Sequence, residues 1–342
     1  MVAAGLCHTD LSVQAGNVPF AMPGVLGHEG AGVVEAVGDA VTTVAPGDAV
    51  LLSFTSCGRC RSCRTGRPAL CELWLPMNLL DGARADGSAT LHRLDGDELH
   101  GHFFGQSSFA SHALADERSA VRVAQEDLLA VLAPLGCGVQ TGAGTVFNVL
   151  RPTPGASIAV VGAGAVGLSA VMAAALTPAT TIIAVDRIPW RLDLARELGA
   201  TDTIDVNEVS LGEALRQITA GRGVDLALDA TGDTGVIATT AAALAVGGTL
   251  ALVGAPPFGA TIPTDVNGML PGRSVVGVTE GDADPHVLVP VLARLYHQGR
   301  FPVDRLVRTY DFADIQSAAQ DLHSGHTIKP VLLFDPDQSA RT

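Results

Sequence analysis

The sequence predicts an α/β protein in which a β-rich part is joined to a doubly wound parallel sheet. The chain has 342 residues, which is enough for about two domains. Residues 1 to about 55 consist of short apolar runs separated by turn signals, which is an all-β pattern. From about residue 127 onward, apolar strands alternate with helices, and this alternation is typical of a parallel sheet covered by helices on both faces.

The β-rich part shows two strand signals and then becomes irregular. Residues 33–38 and 49–52 are rich in β-branched and apolar side chains, and the Pro-Gly-Asp run at 46–48 predicts a turn between them. Residues 72–125 are irregular, and the strand and helix alternation then runs through 157–253. We expect a further helix at 284–298 and a final strand at 330–334.

Four of the six cysteines fall within fifteen residues, at Cys57, Cys60, Cys63 and Cys71. The spacing C-x2-C-x2-C-x7-C can wrap one tetrahedral zinc in a closed site. Unrelated thiols or disulfides are the alternative, which the crowding disfavours because C-x2-C repeats are typical of zinc sites. Four arginines of the same loop would offset the negative charge of a zinc tetrathiolate: Arg59, Arg61, Arg64 and Arg67.

A glycine-rich turn at 162–167 predicts a dinucleotide site. It reads G-x-G-x-x-G between an apolar strand and an apolar helix, and Asp186 ends the next strand about 20 residues later. In such a Rossmann-type turn Gly162 makes the bend, Gly164 admits the pyrophosphate, and Gly167 permits close packing of helix and strand. Asp186 would accept the ribose 2′-OH and repel a 2′-phosphate, which favours NAD over NADP. The alternative is a structural βαβ unit without a ligand.

Composition excludes several classes of function. The net charge is −14 and no basic stripe exists, so nucleic acid and an anionic membrane are poor partners. The N-terminus has no basic segment followed by an apolar run, so it does not read as a signal peptide. We therefore expect a cytoplasmic protein whose cysteines are thiols or metal ligands. The uncharged stretch 156–176 is broken by glycines and fits a buried strand, turn and helix better than a membrane span.

The two remaining cysteines suggest a second metal site. Cys7 lies in Gly-Leu-Cys-His-Thr-Asp, Cys137 lies in Gly-Cys-Gly-Val-Gln-Thr-Gly, and His28 lies in Gly-His-Glu between them. Two cysteines and one histidine are the protein ligands of a catalytic zinc that keeps its fourth position open. Spacing alone is unspecific here, because a lone histidine is usually a surface or core residue.

Taken together, these motifs resemble the zinc-dependent medium-chain alcohol dehydrogenases. The runs at 5–10, 27–32, 57–71, 136–142 and 162–167 occur in the order of that family and cover essentially the whole chain. Residues 102–109 and 253–257 are most similar to the bacterial NAD-dependent aryl-alcohol (benzyl alcohol) dehydrogenases. The resemblance implies a GroES-like catalytic domain at 1–138 and 280–342, with a structural zinc lobe at 57–71, and a Rossmann NAD-binding domain at 139–279.

The resemblance also implies roles for residues around two zinc ions. Cys57, Cys60, Cys63 and Cys71 would hold the structural zinc. Cys7, His28 and Cys137 would hold the catalytic zinc, with Glu29 behind it and Asp10 orienting His28. Thr9 would bind the substrate oxygen and take its proton. Ser12 stands where the family's proton relay often ends in histidine, so the relay would end in water or at His8.

Further roles implied by the resemblance concern NAD and the substrate. His8 and Lys329 would contact the pyrophosphate, and Arg191 would lie near the adenosine. Thr141, Val166 and Val253 would line the nicotinamide. The substrate pocket should be apolar, and three phenylalanines are candidates to line it: Phe54, Phe103 and Phe104. Trp74 and Met77 are further candidates.

The expected reaction is oxidation of a benzyl-type or allylic primary alcohol to its aldehyde. A thiol-adduct formaldehyde dehydrogenase is the alternative within the class, but its cationic or polar rim cannot be identified here. A non-catalytic zinc- and NAD-binding protein is the alternative outside it, although a pure binder has no need of an open metal position. We expect a small-molecule alcohol or aldehyde as partner and a homodimer or homotetramer. The chain starts six residues before Cys7, so we also expect the family's opening strands to be missing from a truncated N-terminus.

Overall fold

The computed structural model describes residues 1–124 and 128–334, which form two compact units. The first unit contains 1–140, 283–299 and the chain from 303 onward, and the second contains 141–282 with a short return at 300–302. The sequence predicted boundaries after 138 and 279, and the observed ones fall after 140 and 282. The end of the predicted catalytic domain, 335–342, lies outside the described residues, as does the segment 125–127.

Fourteen strands are found among the described residues. They are β1 (Ala3–Gly5), β2 (Glu29–Val33), β3 (Ala49–Leu52), β4 (Leu91–His92), β5 (Glu98–Leu99), β6 (Ala120–Arg122), β7 (Ser157–Val161), β8 (Thr181–Asp186), β9 (Asp202–Asp205), β10 (Val224–Asp229), β11 (Leu244–Leu252), β12 (Ser274–Gly277), β13 (Val307–Asp311) and β14 (Lys329–Leu333).

Eleven α-helices accompany these strands in the described ranges. They are α1 (His8–Gln14), α2 (Arg61–Arg64), α3 (Leu129–Leu132), α4 (Gly138–Gly144), α5 (Ala165–Ala175), α6 (Pro189–Glu197), α7 (Leu211–Ile218), α8 (Thr234–Ala242), α9 (Val266–Met269), α10 (Pro285–His297) and α11 (Ile315–Ser324). Single turns of 3-10 or π-helix lie at Pro68–Leu70, Pro76–Leu80, Phe103–Gly105, Glu117–Ser119, Ala133–Gly136, Thr145–Leu150, Glu280–Asp282, Val303–Leu306 and Phe312–Asp314.

The first unit is built on a six-stranded mixed sheet in the order β13-β14-β1-β2-β3-β6. Only β13 and β14 pair in parallel, and the remaining neighbours are antiparallel. The strand expected at 33–38 is found earlier, as β2 at Glu29–Val33. Val34 still bonds the neighbouring chain, since its amide donates to the Asp48 carbonyl at 2.9 Å, but 34–38 form no strand. The β-rich fold predicted for the N-terminal half is thus present, with the final strand at 329–333 inserted beside β1.

The second unit is a six-stranded sheet in the order β12-β11-β10-β7-β8-β9, and all five pairings are parallel. Numbered from β7, this is the 3-2-1-4-5-6 order of a doubly wound nucleotide-binding sheet. All five residues of β7 are buried, as expected for a central strand covered on both faces. Chain order reverses between β7 and β10, so the crevice beyond their carboxyl ends is where such sheets bind ligands.

No single helix in the described part of the chain is long and apolar enough to cross a membrane. Two neighbouring helical segments, 129–136 and 138–150, reach the length and apolar composition of a membrane span only when they are counted together, and the chain bends between them. Most of their residues are buried in the protein.

Candidate active site

The four-cysteine loop closes into a cluster as its spacing predicted. The sulfur atoms of Cys57, Cys60, Cys63 and Cys71 all lie within 4.8 Å of one another. The Cys57 and Cys63 sulfurs are 3.9 Å apart, close to the edge of a tetrahedron with zinc–sulfur bonds of about 2.3 Å. Backbone amides also donate to the sulfurs, with the amides of Cys57 and Leu73 reaching Cys71 at 3.3 and 3.4 Å. This donor set fits a structural zinc.

The thiols of this cluster titrate at very different pH values in the absence of a cation. Hydrogen bonding from the Cys63 amide lowers the pKa of Cys60 to about 6. Burial raises the pKa of Cys71 to about 12, and it also raises the pKa of Cys63. Four crowded sulfurs cannot all carry negative charge unless a cation compensates them, so the cluster needs a bound metal to become a tetrathiolate.

A second cluster brings together residues that are far apart in sequence. Cys7 directly precedes α1, His28 directly precedes β2, and Cys137 lies between a 3-10 turn and α4. Their ligand atoms, with a carboxylate oxygen of Glu29, lie within 4.8 Å of one another. Hydrogen bonding from Cys137 lowers the pKa of the Cys7 thiol well below its usual value, which favours the thiolate that a metal binds.

The His28 ring is oriented for a metal. Its Nδ1 lies 3.0 Å from Asp10 Oδ1, and both side chains are buried. The Nε2 atom is also buried and has no hydrogen-bond partner among the described residues. A buried ring nitrogen without a partner is unfavourable, and a metal ion at Nε2 would satisfy it. The residues therefore fit a zinc with two cysteines, one histidine and an open fourth position.

Asp10 ties the two halves of this cluster together. Its Oδ1 also accepts the Gly27 amide at 3.0 Å, and its Oδ2 accepts the Cys7 amide at 3.0 Å. The carboxylate thus contacts His28, the residue before it and the backbone of Cys7. This is the orienting position that the resemblance implied for Asp10.

Glu29 lies behind the cluster and is paired with Lys329. The Lys329 ammonium donates to Glu29 Oε1 at 2.8 Å and to the Leu6 carbonyl at 3.4 Å, and the Gly138 amide reaches the same Oε1 at 3.3 Å. Burial would lower the pKa of Lys329, but the charges of Glu29 and Cys7 outweigh burial and raise it. Lys329 is 2% exposed. In this structure the Lys329 ammonium is paired with the Glu29 carboxylate, and its expected pyrophosphate contact stays a prediction.

Two residues of α1 follow Cys7 and differ in exposure. Thr9 is half-buried, and its Oγ1 lies 3.8 Å from the Cys7 sulfur. His8 is exposed at the start of the helix. Thr9 therefore lies within reach of a group bound at the cluster, while the His8 side chain faces solvent.

The three phenylalanines expected to line the substrate pocket are buried in this structure. Phe54, Phe103 and Phe104 are 2%, 0% and 3% exposed. The Phe104 ring stacks on His28 with centroids 4.5 Å apart, and Phe103 meets the same imidazole edge-on at 5.4 Å. Phe103 and Phe104 thus pack directly on the imidazole of His28, and the assignment of the three phenylalanines to the substrate pocket stays a prediction. Four half-buried apolar residues pack against this core: Val18, Phe20, Leu26 and Trp74.

In the second unit, the glycine-rich turn has the geometry of a nucleotide loop. Gly162 has φ +96°, which only glycine adopts readily. A β-carbon on Gly167 would lie 1.7 Å from the Gly162 carbonyl oxygen, so helix α5 packs against the turn only with glycine there. A β-carbon on Gly164 would meet nothing within 4 Å, so this side of the turn is open. The open turn at the start of α5 offers unpaired amides to a pyrophosphate.

Asp186 ends β8 beside this turn. One carboxylate oxygen accepts the Ala163 amide at 2.6 Å, and the other accepts the amides of Arg187 and Ile188 at 2.8 and 2.9 Å. Burial lowers the pKa of the neighbouring Arg191 despite the opposing charge of Asp186. Asp186 is thus bonded to the glycine-rich turn, and Arg191 lies close enough to Asp186 for the two charges to interact.

The three residues expected at the nicotinamide also lie in the second unit. Thr141 is 8% exposed, and its hydroxyl bonds Glu280 at 3.3 Å. Val166 and Val253 are half-buried, and Val253 follows β11. The Glu280 contact was not predicted, because a bond between residues 139 positions apart leaves no local signal in the sequence.

The comparisons with known proteins agree with this geometry. The alcohol dehydrogenase GroES-like domain matches residues 1–125, and the zinc-binding dehydrogenase domain matches residues 165–295. The geraniol dehydrogenase of Castellaniella defragrans is 43% identical over 337 residues, which are 98% of this chain and 89% of that protein. The chain belongs to the zinc-dependent medium-chain alcohol dehydrogenases.

Solved structures agree as well. The benzyl alcohol dehydrogenase of Acinetobacter calcoaceticus is 44% identical, with a TM-score of 0.93 over 98% of this chain and 90% of that one. An alcohol dehydrogenase zinc-binding domain protein from Burkholderia ambifaria is 52% identical, with a TM-score of 0.94 over the same shares. The predicted family and fold class are therefore confirmed, and zinc and NAD are the cofactors of this enzyme.

Proposed function

We propose that this enzyme oxidises a primary aromatic or allylic alcohol of the benzyl alcohol type to the aldehyde, with NAD as the acceptor. The observation that carries the proposal is the buried cluster of Cys7, His28 and Cys137 beside the Thr9 hydroxyl. The names of two relatives support the substrate class, since geraniol is an allylic primary alcohol and benzyl alcohol an aromatic one.

The residues around the cluster would prepare the substrate hydroxyl for oxidation. When bound, zinc supplies a Lewis acid that lowers the pKa of an alcohol, and NAD supplies a hydride acceptor. Asp10 keeps a proton on His28 Nδ1 and leaves Nε2 to the metal. Thr9 would relay the substrate proton by accepting it while its own hydroxyl proton passes to water or to His8. Ser12 lacks the imidazole that could take up the proton at the end of such a relay.

The glycine-rich turn and Asp186 would bind the other reactant. The open face at Gly164 would take the pyrophosphate on the amides of the turn. Asp186 would accept a ribose hydroxyl and repel a 2′-phosphate, which favours NAD. Thr141, Val166 and Val253 are proposed to contact the nicotinamide, and Arg191 to lie at the adenosine.

The substrate would meet an apolar wall beside His28. Phe103 and Phe104 are buried, so the half-buried residues packed against them are better candidates for direct contact. Trp74 lies edge-on to Phe104 at 5.6 Å, and Phe20 lies edge-on to Phe103 at 5.1 Å. Aromatic edges and faces of this kind suit an aromatic or allylic group better than a short alkyl chain.

The proposal is tested by NADH absorbance with the purified enzyme, NAD and benzyl alcohol. Geraniol, ethanol and a thiol adduct of formaldehyde are run in parallel, each also with NADP. We expect turnover with benzyl alcohol and geraniol that exceeds turnover with ethanol, and NAD preferred over NADP. Preference for the formaldehyde adduct would replace the substrate proposal. Zinc and NAD binding without NADH from any alcohol would indicate a binding protein instead.

We also propose that the enzyme is a homodimer or homotetramer. Strand β12 pairs only with β11 in the described part of the sheet, which leaves one edge available to a second copy. The apolar segment 249–257 resembles the edge that joins subunits in this family. Its residues 249–252 lie in β11, which is paired on both sides, and 253–257 follow that strand. Near β12, Val246, Val266 and Leu270 are 77%, 71% and 76% exposed. Sedimentation of the intact protein tests this, and a monomer at micromolar concentration would contradict it.

A further inference from the structure

The side chain of Gln106 is buried behind His28, outside the groups that touch reactants. It is 1% exposed. Its Oε1 accepts the Gly30 amide at 3.0 Å, and its Nε2 donates to the carbonyls of His28 and Ser53 at 3.0 and 3.2 Å. Both amide hydrogens and the amide oxygen are therefore used. Gln106 thus bonds the backbone of the histidine ligand at His28 and again at Gly30, two residues later.

The contact continues from Ser53 to the backbone of Cys137. The Ser53 hydroxyl donates to the Gly136 carbonyl at 2.6 Å. The amide nitrogen of Gln140 donates to the Ser53 hydroxyl and to the same Gly136 carbonyl, both at 2.7 Å. That carbonyl belongs to the peptide bond that begins Cys137. A continuous buried chain of polar groups thus joins two ligands that are more than a hundred residues apart.

The turn that carries Gln106 is itself held in an unfavourable conformation. Phe104 and Ser107 have φ values of +51° and +49°, which residues with side chains rarely adopt. The Ser107 hydroxyl secures the turn, because it accepts the Phe103 amide at 2.9 Å and donates to the Val25 carbonyl at 2.7 Å. Such conformations persist where the surroundings over-determine them, and they concentrate at functional sites.

We propose that Gln106 is a positioning residue of the catalytic metal site. It sets the separation of His28 and Cys137 by linking their backbones through Ser53 and Gln140. The inference rests on the proposed role of His28 and Cys137 as zinc ligands. A metal holds tightly only where its ligands are already at bonding separation, so a looser link should speed metal loss without removing any ligand atom.

The test compares two buried amides in the zinc-loaded, full-length enzyme. Gln106→Met keeps the side-chain volume and removes all three hydrogen bonds. Asn78→Leu is the matched control, since Asn78 is also 1% exposed and makes three bonds, to Thr55 and Trp74, none of them to a zinc ligand. The readouts are release of zinc to a chelator, the visible spectrum after cobalt substitution, and urea unfolding.

We expect both variants to lose comparable stability, but only Gln106→Met to release the catalytic zinc faster, by about tenfold. Its cobalt absorption bands should also shift. Release at the parent rate with an unchanged cobalt spectrum would overturn the inference, and so would equal acceleration in Asn78→Leu. If Gln106→Met does not fold, Ser53→Ala replaces it. It removes only the hydroxyl link, with an expected acceleration of about threefold, and release at the parent rate would again overturn the inference.

The same measurements separate this inference from the proposed function. A parent enzyme that retains zinc only at the four-cysteine cluster would refute the catalytic metal site, and the inference with it. A parent that retains zinc at both clusters, beside a Gln106→Met variant that behaves like it, would refute the inference alone.

Discussion

The two cysteine clusters of this enzyme are built in opposite ways. The cluster of Cys57, Cys60, Cys63 and Cys71 comes from one loop, and backbone amides of that loop bond its sulfurs. The cluster of Cys7, His28 and Cys137 is assembled from three distant segments, and buried side chains hold it. Local geometry is thus sufficient for a closed structural site. An open site that lacks a fourth protein ligand depends on outside support to keep its shape.

The largest difference between the two clusters is expected when one ligand of the Cys7, His28 and Cys137 cluster is removed. In Cys7→Ala the catalytic zinc should be lost and NADH formation should fall by about a thousandfold or more, since the Lewis acid contributes several kcal/mol. The zinc of the four-cysteine loop and NAD binding should remain, because neither uses Cys7. Metal analysis, calorimetry with NAD and NADH absorbance measure these effects. Parent activity in Cys7→Ala would rule out its role as a ligand.

A smaller effect on the same site is expected when only its support changes. Asp10→Asn removes the charge that orients His28 and replaces an acceptor of the Cys7 amide with an NH2 group. Affinity for the catalytic zinc should fall by about 10- to 100-fold. Competition with a chelator measures it, and the four-cysteine zinc serves as the internal control. Equal loss of both zinc ions would mean that the variant acts through general destabilisation.

A change in the closed site should act on structure and leave the chemistry nearly intact. Cys63→Ser is expected to release the loop zinc and to increase proteolysis within 57–71 by about tenfold, because the metal holds this loop folded. The Cys7 cluster shares no ligand with it, so NADH formation per folded enzyme should stay near the parent value. Limited proteolysis and kinetics measure the two effects. An activity loss as large as that of Cys7→Ala would contradict the division between the sites.

The smallest effect is expected from an ion pair in the second unit, which contributes no residue to either cluster. Asp225 accepts the Ser157 amide and hydroxyl at 2.8 and 2.7 Å and pairs with Arg222. Burial would raise the pKa of Asp225, but Arg222 and Ser157 outweigh it and lower that pKa to about 2. Because the folded pKa lies below the unfolded one, this stabilisation is complete above about pH 4 and is lost as pH falls through about 2.

Asp225→Asn should therefore cost about 1 kcal/mol at pH 7, a value reduced for partial exposure of the pair. Urea unfolding of parent and variant between pH 7 and pH 3 measures the difference, which should shrink below about pH 4. Zinc content should not differ between parent and variant. A difference that grows as pH falls would reverse the assigned sign.

Sequence patterns predicted those parts of the molecule whose chemistry is local. The spacing of the four cysteines, the glycine-rich turn and the strand and helix alternation each come from neighbouring residues, and each appears in the structure. The Cys7, His28 and Cys137 set needed the family resemblance, because its members meet only in the folded chain. Even so, the predicted orienting contact of Asp10 with His28 is present at 3.0 Å.

Contacts between residues far apart in the sequence could not be predicted from local patterns. Neither the ion pair of Lys329 with Glu29 nor the packing of Phe103 and Phe104 on the His28 ring was predicted. The expected roles of these residues at the pyrophosphate and in the substrate pocket stay predictions. The Gln106 contacts span 76 and 78 positions, so no local pattern could have predicted them. Only the position of Gln106 within a run that resembles the family hinted at a role.

The central claim is that Cys7, His28 and Cys137 hold the zinc on which alcohol oxidation depends. It is tested most directly by the rate of NADH formation from benzyl alcohol, measured against zinc content as a chelator removes the metal. With two clusters in the described part of the chain, activity should fall in proportion to the zinc lost from the Cys7 cluster and vanish when zinc remains only in the four-cysteine loop. Activity that persists with zinc only in the four-cysteine loop would contradict the account.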